Sequence, residues 1–347
     1  DKKGYAEDRG AEAVIKADIA NFPDFSGADM IDILSRDVTV SGLSLNGMNS
    51  DPMINPDLND GLSAGLVPYF VGLDNADVNV VLTNNRVINF NTGGVYTCTP
   101  APSAAHAATG ILVKDNYIAN IAYIGLVSTN NCDLNAYDNF IENCIFGVAV
   151  ESVAEAPTGM PIDYAQYIKG NTIKNCDAGV RYNHSSFTHR KYPLYIAENT
   201  IFGKSNITNG VTRGYTHAGI TTWAFRPGDV VIIEDNIIRN KEVGLAPFNN
   251  PGSDYVHEGP KWPTIRNNTL ENNDIGILAS TRYIYGGFTY MNFKFSIEGG
   301  TITVPDGGKG IVVSTISQLV ASGYALGVNC VFDGITVNGG DKGLLVY

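Results

Sequence analysis

Apolar residues in this chain occur in short runs rich in Val, Ile, Thr and Tyr, and Asn and Gly separate these runs. An amphipathic helix would instead repeat apolar residues at i, i+3 and i+4 over a dozen positions, and the chain lacks that period. Short β-branched and aromatic runs bounded by turn residues are typical of strands. The pattern therefore predicts an all-β protein.

A repeated phrase organises these runs: Asn, any residue, an aliphatic, and then, eight or nine residues after the Asn, a Gly followed by an aliphatic. Clear copies begin at Asn116, Asn139, Asn171, Asn236 and Asn268. Weaker copies begin at Asn85, at Asn199 with about a dozen extra residues, and at Gly300 in place of Asn. With first and last copies at 40–45 and 332–337, there are about ten, spaced about 22 to 40 residues apart, which indicates a solenoid.

The run Asn171-Thr-Ile-Lys-Asn-Cys-Asp-Ala-Gly-Val shows the phrase in full. Through it the chain resembles the right-handed parallel β-helix (pectate-lyase-like) superfamily of carbohydrate-binding proteins and sugar hydrolases. The resemblance implies a right-handed single-stranded parallel β-helix of about ten rungs over 36–347, with long loops on one side. Residues 1–35 are expected to form an N-terminal cap or an imperfect first coil. The superfamily also includes lyases, epimerases, tailspikes and structural surface proteins, so the resemblance is specific for fold.

The phrase also predicts which side chains point inward. The aliphatic after each Gly should form one internal ladder, and the Asn and Gly should sit at corners, where left-handed or bridge dihedrals are cheap for them. Alternation along the strand then places the residues two and four after the Gly on the outer surface. In the middle rungs this outer stripe carries Glu151, Arg181, Asn183, Trp223 and Phe248.

Long loops follow this strand in most copies, and an insertion at 202–218 should rise on the opposite side. These loops carry a concentration of candidate functional side chains: His184, Tyr215, His217, Arg226, Tyr255 and His257. Aromatic rings stack on sugar faces while polar groups orient the hydroxyls. We therefore expect a carbohydrate groove, with Asn183, Trp223, Phe248, Arg226, Tyr255 and His257 as its substrate-binding residues.

A polysaccharide lyase is the favoured reaction class, because β-elimination needs a base and a group that neutralises the uronate. The candidate catalytic residues are Arg181, His184, Tyr215, His217 and Glu151, the last as a ligand for Ca²⁺, the one candidate cofactor. A glycosidase needs two carboxylates about 5 to 9 Å apart, and the candidates Glu151, Asp254 and Glu258 are not neighbours on the stripe. The Asp-Pro-His phrase of alginate epimerases, the Asp-rich calcium cluster of pectate lyases and the paired Asp motifs of polygalacturonases are absent.

Two alternatives stay open beside the enzyme. One is a non-catalytic carbohydrate-binding or adhesin module that uses the same groove, and the other is a structural surface-layer or fibre component. Retained glycan binding without product would indicate the former, and end-to-end assembly without glycan binding would indicate the latter. The subunit is expected to be a monomer or a homotrimer.

The net charge of −12 argues against nucleic acid, which needs a basic face. The sequence has no membrane span, and its composition is common in exported solenoids, which predicts an extracellular, cell-surface or periplasmic location. The chain has five cysteines without metal-ligand spacing. Cys144 and Cys176 occupy the same template position and should stack on adjacent rungs, as free thiols rather than as the disulfide that their spacing allows.

Overall fold

The computed structural model describes residues 13–16, 29–48, 63–68, 76–97, 108–129, 132–151, 164–183, 192–203, 217–224, 230–249, 263–281, 290–315 and 325–346. These residues contain thirty strands, and none of them lies in a helix. The strands form one 20-stranded and one 10-stranded sheet, and neighbouring strands run parallel throughout. Most strands pair with the third strand before or after them in sequence, so each coil of the chain contributes one strand to each of three faces. The fold is a parallel β-helix, as the sequence predicts.

The third face is the 10-stranded sheet. Its strands are β3 Thr39–Ser41, β6 Ala76–Thr83, β9 Ala108–Lys114, β11 Cys132–Tyr137, β13 Gln166–Lys169, β16 Leu194–Ala197, β19 Val231–Glu234, β22 Thr264–Arg266, β25 Tyr290–Glu298 and β28 Ala325–Asp333.

The other two faces make up the 20-stranded sheet. The Asn face follows the repeated Asn and contains β1 Ala13–Lys16, β4 Leu43–Asn46, β7 Arg86–Phe90, the first halves of β10 Tyr117–Ser128 and β12 Phe140–Glu151, β14 Thr172–Lys174, β17 Thr200–Phe202, β20 Ile237–Arg239, β23 Thr269–Glu271, β26 Thr301–Val304 and β29 Thr336–Gly339. The Gly face contains β2 Ile31–Ile33, β5 Ala64–Pro68, β8 Gly93–Thr97, the second halves of β10 and β12, β15 Ala178–Asn183, β18 Ala218–Ala224, β21 Val243–Asn249, β24 Ile275–Thr281, β27 Lys309–Thr315 and β30 Lys342–Val346.

Two strands lie within the segment 1–35. β1 pairs with β4 on the Asn face, and β2 pairs with β5 on the Gly face. The predicted long loops fall between Gly-face strands and the next third-face strands, and nearly all of their residues lie outside those that the structure describes.

The predicted aliphatic ladder is confirmed in register. The residues after each Gly pair from rung to rung in the order Leu66, Val95, Leu126, Val148, Val180, Ile220, Leu245, Ile277, Ile311 and Leu344. All are buried except Leu344 on the last described rung, which is 53% exposed. Burying aliphatic surface continuously along the axis is the main stabilising contribution to such a rod.

The repeated Asn does not serve as the predicted left-handed corner residue. The positive φ belongs to the residue before it, for example Asp138 (φ 52°) before Asn139 and Gly170 (φ 70°) before Asn171. The Asn side chains instead form a buried ladder from Asn85 to Asn268, in which each Oδ1 from Asn116 onward accepts from the backbone N–H and the Nδ2 of the Asn on the preceding rung. An amide suits this role because it carries donor and acceptor together.

The repeated Gly is also required for a different reason from the predicted one. Gly147, Gly179 and their equivalents have no positive φ. A Cβ built on Gly179 would lie 2.5 Å from the carbonyl oxygen of Gly219 on the next rung and 2.5 Å from Cγ2 of Ile201. Glycine is therefore needed because the backbones of adjacent rungs approach too closely for a side chain.

We expect Gly179→Ala to lower the free energy of unfolding by about 1 to 3 kcal/mol, because overpacking shifts backbone that the next rung holds fixed. Gly343→Ala is the matched control, since Gly343 has the same template position on the last described rung and nothing lies within 4 Å of its added Cβ. Urea unfolding of both variants measures the difference. Equal losses would show that the close approach does not determine the residue.

Cys144 and Cys176 are both free thiols, and their side chains are buried on adjacent rungs. Burial and a hydrogen bond with Cys176 raise the pKa of the Cys144 thiol well above its ordinary value. The Cys144 thiol is therefore protonated at neutral pH, and both side chains pack as small core residues.

Candidate functional site

The candidate site lies at the corner where the Asn face turns into the Gly face. Three rungs make this corner with a three-residue turn: 175–177, 240–242 and 272–274. In each turn an Asn takes a positive φ of 52°, 55° or 53°, which amide side chains tolerate. The second residue points into the core, and the third faces outward. Strand register then aligns the outward residues Asp177, His217, Glu242 and Asp274 on four consecutive rungs.

The rung of β17 and β18 departs from this pattern. Between Gly203 and His217 it has thirteen further residues, 204–216, which lie outside those that the structure describes. The flanking strands keep the common register, since Thr200 pairs with Ile237 and Ala218 pairs with Val243. His217 therefore reaches the row of outward corner residues although its rung carries an insertion.

His217 is held between two carboxylates. Its Nδ1 contacts Oδ1 of Asp177, and its Nε2 lies 4.0 Å from Oε2 of Glu242. A hydrogen bond from Nδ1–H to Asp177 leaves Nε2 of a neutral imidazole as a proton acceptor. The His217 side chain is 46% exposed, so Nε2 is open to a ligand.

Asp177 is the less exposed member of this pair, with 17% of its side chain accessible. Burial raises the pKa of its carboxyl, while the interactions with His217 and Lys241 oppose that rise. The partners on either side thus favour the ionised form that orients the imidazole.

A cavity of about 470 Å³ opens beside this row and is lined by His217, Lys241, Glu242, Asp274, Ile275, Gly307 and Lys309. Its volume is in the range of small-molecule sites. His217 and Lys309 lie at its two ends, three rungs apart, and a rung rises about 4.8 Å. Ile275 gives it an apolar wall between the two ends. The cavity therefore has the length and mixed polarity to hold a short stretch of a linear polar polymer.

The predicted residues Arg181 and Glu151 meet each other but not His217. Nη1 of Arg181 lies 3.2 Å from Oε1 of Glu151, and its Cζ lies 4.7 Å from the centre of the Phe146 ring. Arg181 is only 5% exposed, so it presents little surface to a polymer. Arg181 follows Asp177 by four residues along an extended strand, which separates the two Cα atoms by about 13 Å.

The predicted Ca²⁺ site receives no support from these residues. Glu151, its expected ligand, is paired with Arg181. Across the described ranges, no group of three or more His, Cys, Asp or Glu side chains is arranged to hold a metal ion.

The remaining predicted residues are spread more widely. Asn183 is half-buried and pairs in register with Glu151, but a bulge after Tyr182 puts it opposite Ala224 instead of Trp223. For Trp223 and Phe248 the structure describes only the strand positions, in β18 and β21. His184, Tyr215, Arg226, Tyr255 and His257 lie outside the described residues.

Five residues of the site were not among the sequence candidates: Asp177, Lys241, Glu242, Asp274 and Lys309. A signal for three of them was available. Asp177, Glu242 and Asp274 each stand two residues before a repeated Gly, the template position that His217 also occupies. Aligning the copies on the Gly would have shown four ionisable residues in one column.

No protein-family model matches the chain, and no curated protein matches it. Among solved structures, the chain is similar to the A-module of the mannuronan C-5 epimerase AlgE4 from Azotobacter vinelandii. The two are 14% identical with a TM-score of 0.39, over 96% of this chain and 82% of that one. The parallel β-helix assignment rests on the strand pairing described above. Within the described residues, no helix has the length and apolarity to cross a membrane.

Proposed function

We propose that this protein acts on an acidic polysaccharide by acid–base chemistry at the corner site, with His217 as the base of a β-elimination. The observation that carries the proposal is the position of His217, whose Nδ1 contacts Asp177 while the residue lines the 470 Å³ cavity. A histidine imidazole is the commonest general base in enzymes. The proposal includes an extracellular, cell-surface or periplasmic location, where such polymers occur.

The reaction needs three roles. Nε2 of His217 takes the proton at C5 of a uronate, the C–H electron pair forms the C4–C5 double bond, and the C4–O bond breaks. The leaving oxygen takes a proton from solvent. Lys309, three rungs from His217, supplies a cation for a carboxylate further along the polymer, in a protein whose net charge of −12 otherwise repels polyanions. Asp177 keeps the imidazole in the accepting tautomer.

Glycoside hydrolysis is the second candidate, and one observation favours it. Glu242 and Asp274 line the cavity on adjacent rungs, because Val243 pairs with Ile275. A rung rise of about 4.8 Å brings neighbouring carboxylates close to the separation of about 5 to 5.5 Å that retaining glycosidases use.

One assay separates these outcomes. The protein is incubated with polyuronates and with neutral polysaccharides, and the ultraviolet absorbance of unsaturated ends is read together with reducing ends. Unsaturated ends on a polyuronate support the elimination, whereas reducing ends alone support hydrolysis by Glu242 and Asp274. Solvent deuterium at C5 without cleavage would indicate epimerisation after the same proton abstraction. Binding without any product indicates a glycan-binding module, and neither binding nor product contradicts the proposal.

A further inference from the structure

Lys241 is a buried cation in the core of the rod. It is 1% exposed, and its Nζ donates to the backbone carbonyls of Cys176 at 2.5 Å, Asp177 at 3.1 Å and Gly203 at 3.2 Å. Lysine is almost never fully buried unless its donors are satisfied. Three carbonyl acceptors match the three N–H donors of an ammonium group, so the arrangement is complete.

The long connection on the neighbouring rung of β17 and β18 explains why a lysine fits at position 241. In the neighbouring turn, the inward residue Asn273 bonds locally, donating to the carbonyl of Ile238 at 3.0 Å and accepting from the N–H of Lys241 at 2.9 Å. On the rung between those of Cys176 and Lys241, the connection from β17 to β18 has fifteen residues, 203–217, in place of three. The long side chain of Lys241 extends towards this rung, and its Nζ ends at the carbonyls of Cys176, Asp177 and Gly203.

Two of these contacts bear directly on the site. One contact is with the carbonyl of Asp177, the residue whose carboxylate contacts His217. The other is with the carbonyl of Gly203, the last described residue before His217. The contact with the carbonyl of Cys176 fixes the backbone of the residue just before Asp177. Lys241 thus joins the rung above the insertion, the insertion rung and its own rung.

We propose that Lys241 is a positioning residue of the site: its ammonium group ties the backbones of Asp177 and Gly203 to the rung below and so keeps the carboxylate that orients His217 in place beside an interrupted corner. The proposal rests on the proposed function for its effect on turnover, but its effect on His217 is independent of any substrate.

The contacts of the Lys241 ammonium group depend on pH. Burial lowers the pKa of Lys241 to about 8, and the groups that face it, Cys176, Asp177 and Glu242, oppose the shift. As pH rises through about 8, the amine loses one of the three N–H donors that hold the carbonyls of Cys176, Asp177 and Gly203, so turnover should fall. Folding stability should change in the other direction. The folded pKa lies below the ordinary value of 10.5, so between these values the unfolded chain binds more protons and the free energy of unfolding rises with pH.

The test compares Lys241→Met with Lys169→Met, a third-face lysine that lies 2.8 Å from Glu198 and away from this corner. Histidine-labelled protein is titrated by NMR, with the His217 ring signals assigned by their loss in His217→Asn. In the wild type and in Lys169→Met we expect a second inflection of these signals near pH 8, and in Lys241→Met we expect none. The free energy of unfolding should rise between pH 8 and 10 relative to Lys241→Met.

On a polymer that the wild type turns over, Lys241→Met should lower kcat by about 10-fold with little change in KM and should remove the alkaline limb near pH 8, because small displacements of catalytic groups are costly. Wild-type His217 signals and kcat in a folded Lys241→Met variant would overturn the proposal. If that variant does not fold, absence of the inflection near pH 8 from the wild type overturns it. Absence of turnover on every polymer counts against the proposed function alone, since the NMR titration still decides the role of Lys241.

Discussion

Replacing His217 by Asn is expected to lower kcat on the cleaved polymer by at least about 100-fold, the usual contribution of a general base. Asparagine keeps a side chain of similar size that can still meet Asp177 but cannot accept the substrate proton. The His217 side chain is 46% exposed and lies outside the aliphatic core, so the melting temperature should not change. Initial rates of unsaturated-product formation together with thermal unfolding measure both effects.

Two companion variants make this result specific. Asp177→Asn should give a smaller loss, about 10-fold, because the base remains but its tautomer is no longer fixed by a carboxylate. Glu198→Gln removes a charge on the third face, where Glu198 pairs with Lys169 at 2.8 Å, and should leave the rate unchanged. Full activity in His217→Asn would remove the corner site from consideration as the catalytic centre.

The largest stability effect is expected for Asn171→Ala, in the middle of the buried Asn ladder. The Asn171 Nδ2 donates to the carbonyls of Ala136 and Lys169, and its Oδ1 accepts from the backbone N–H and Nδ2 of Asn139, each within 3.2 Å. Alanine leaves these groups buried without their partner, and each unsatisfied group costs about 1 to 3 kcal/mol. We expect the free energy of unfolding to fall by about 3 to 5 kcal/mol, measured by urea unfolding.

Asn338→Ala is the matched control for this substitution. Asn338 is exposed on β29, so its loss should change the free energy of unfolding by no more than about 0.5 kcal/mol. A similar small change in Asn171→Ala would mean that water or local rearrangement replaces the ladder bonds. The ladder would then be a consequence of the fold, with little part in its stability.

The sequence was sufficient for the aliphatic ladder because alternation along a strand and one repeated Gly fix both the register and the inward direction. It was not sufficient for the role of the repeated Asn. The chain pattern does not show which of two adjacent residues, such as Asp138 or Asn139, takes the left-handed conformation. The neighbouring rung determines which residue carries the buried amide, because its backbone N–H and Nδ2 groups need the Oδ1 of an Asn as acceptor.

The candidate site shows the same division. His217 was among the predicted residues, and so was its position in an insertion. Its predicted grouping with Arg181 is not found in the structure. Counting rungs measures distance along the rod axis, whereas Arg181 and His217 differ by about 13 Å across the Gly face. Lys241 was beyond prediction from its own position, because its reason for being buried is a missing turn on a different rung.

We expect the effect of replacing Lys241 to depend on the insertion at 204–216, and the effect of shortening the insertion to depend on residue 241. The strands on either side keep a common register, so the insertion at 204–216 is open to exchange or shortening in engineered variants. A three-residue turn in its place would put a new inward side chain where the Lys241 ammonium now lies. Shortening this loop should then be tolerated only together with a smaller residue at 241, and replacing Lys241 should be milder in a chain that has lost the insertion.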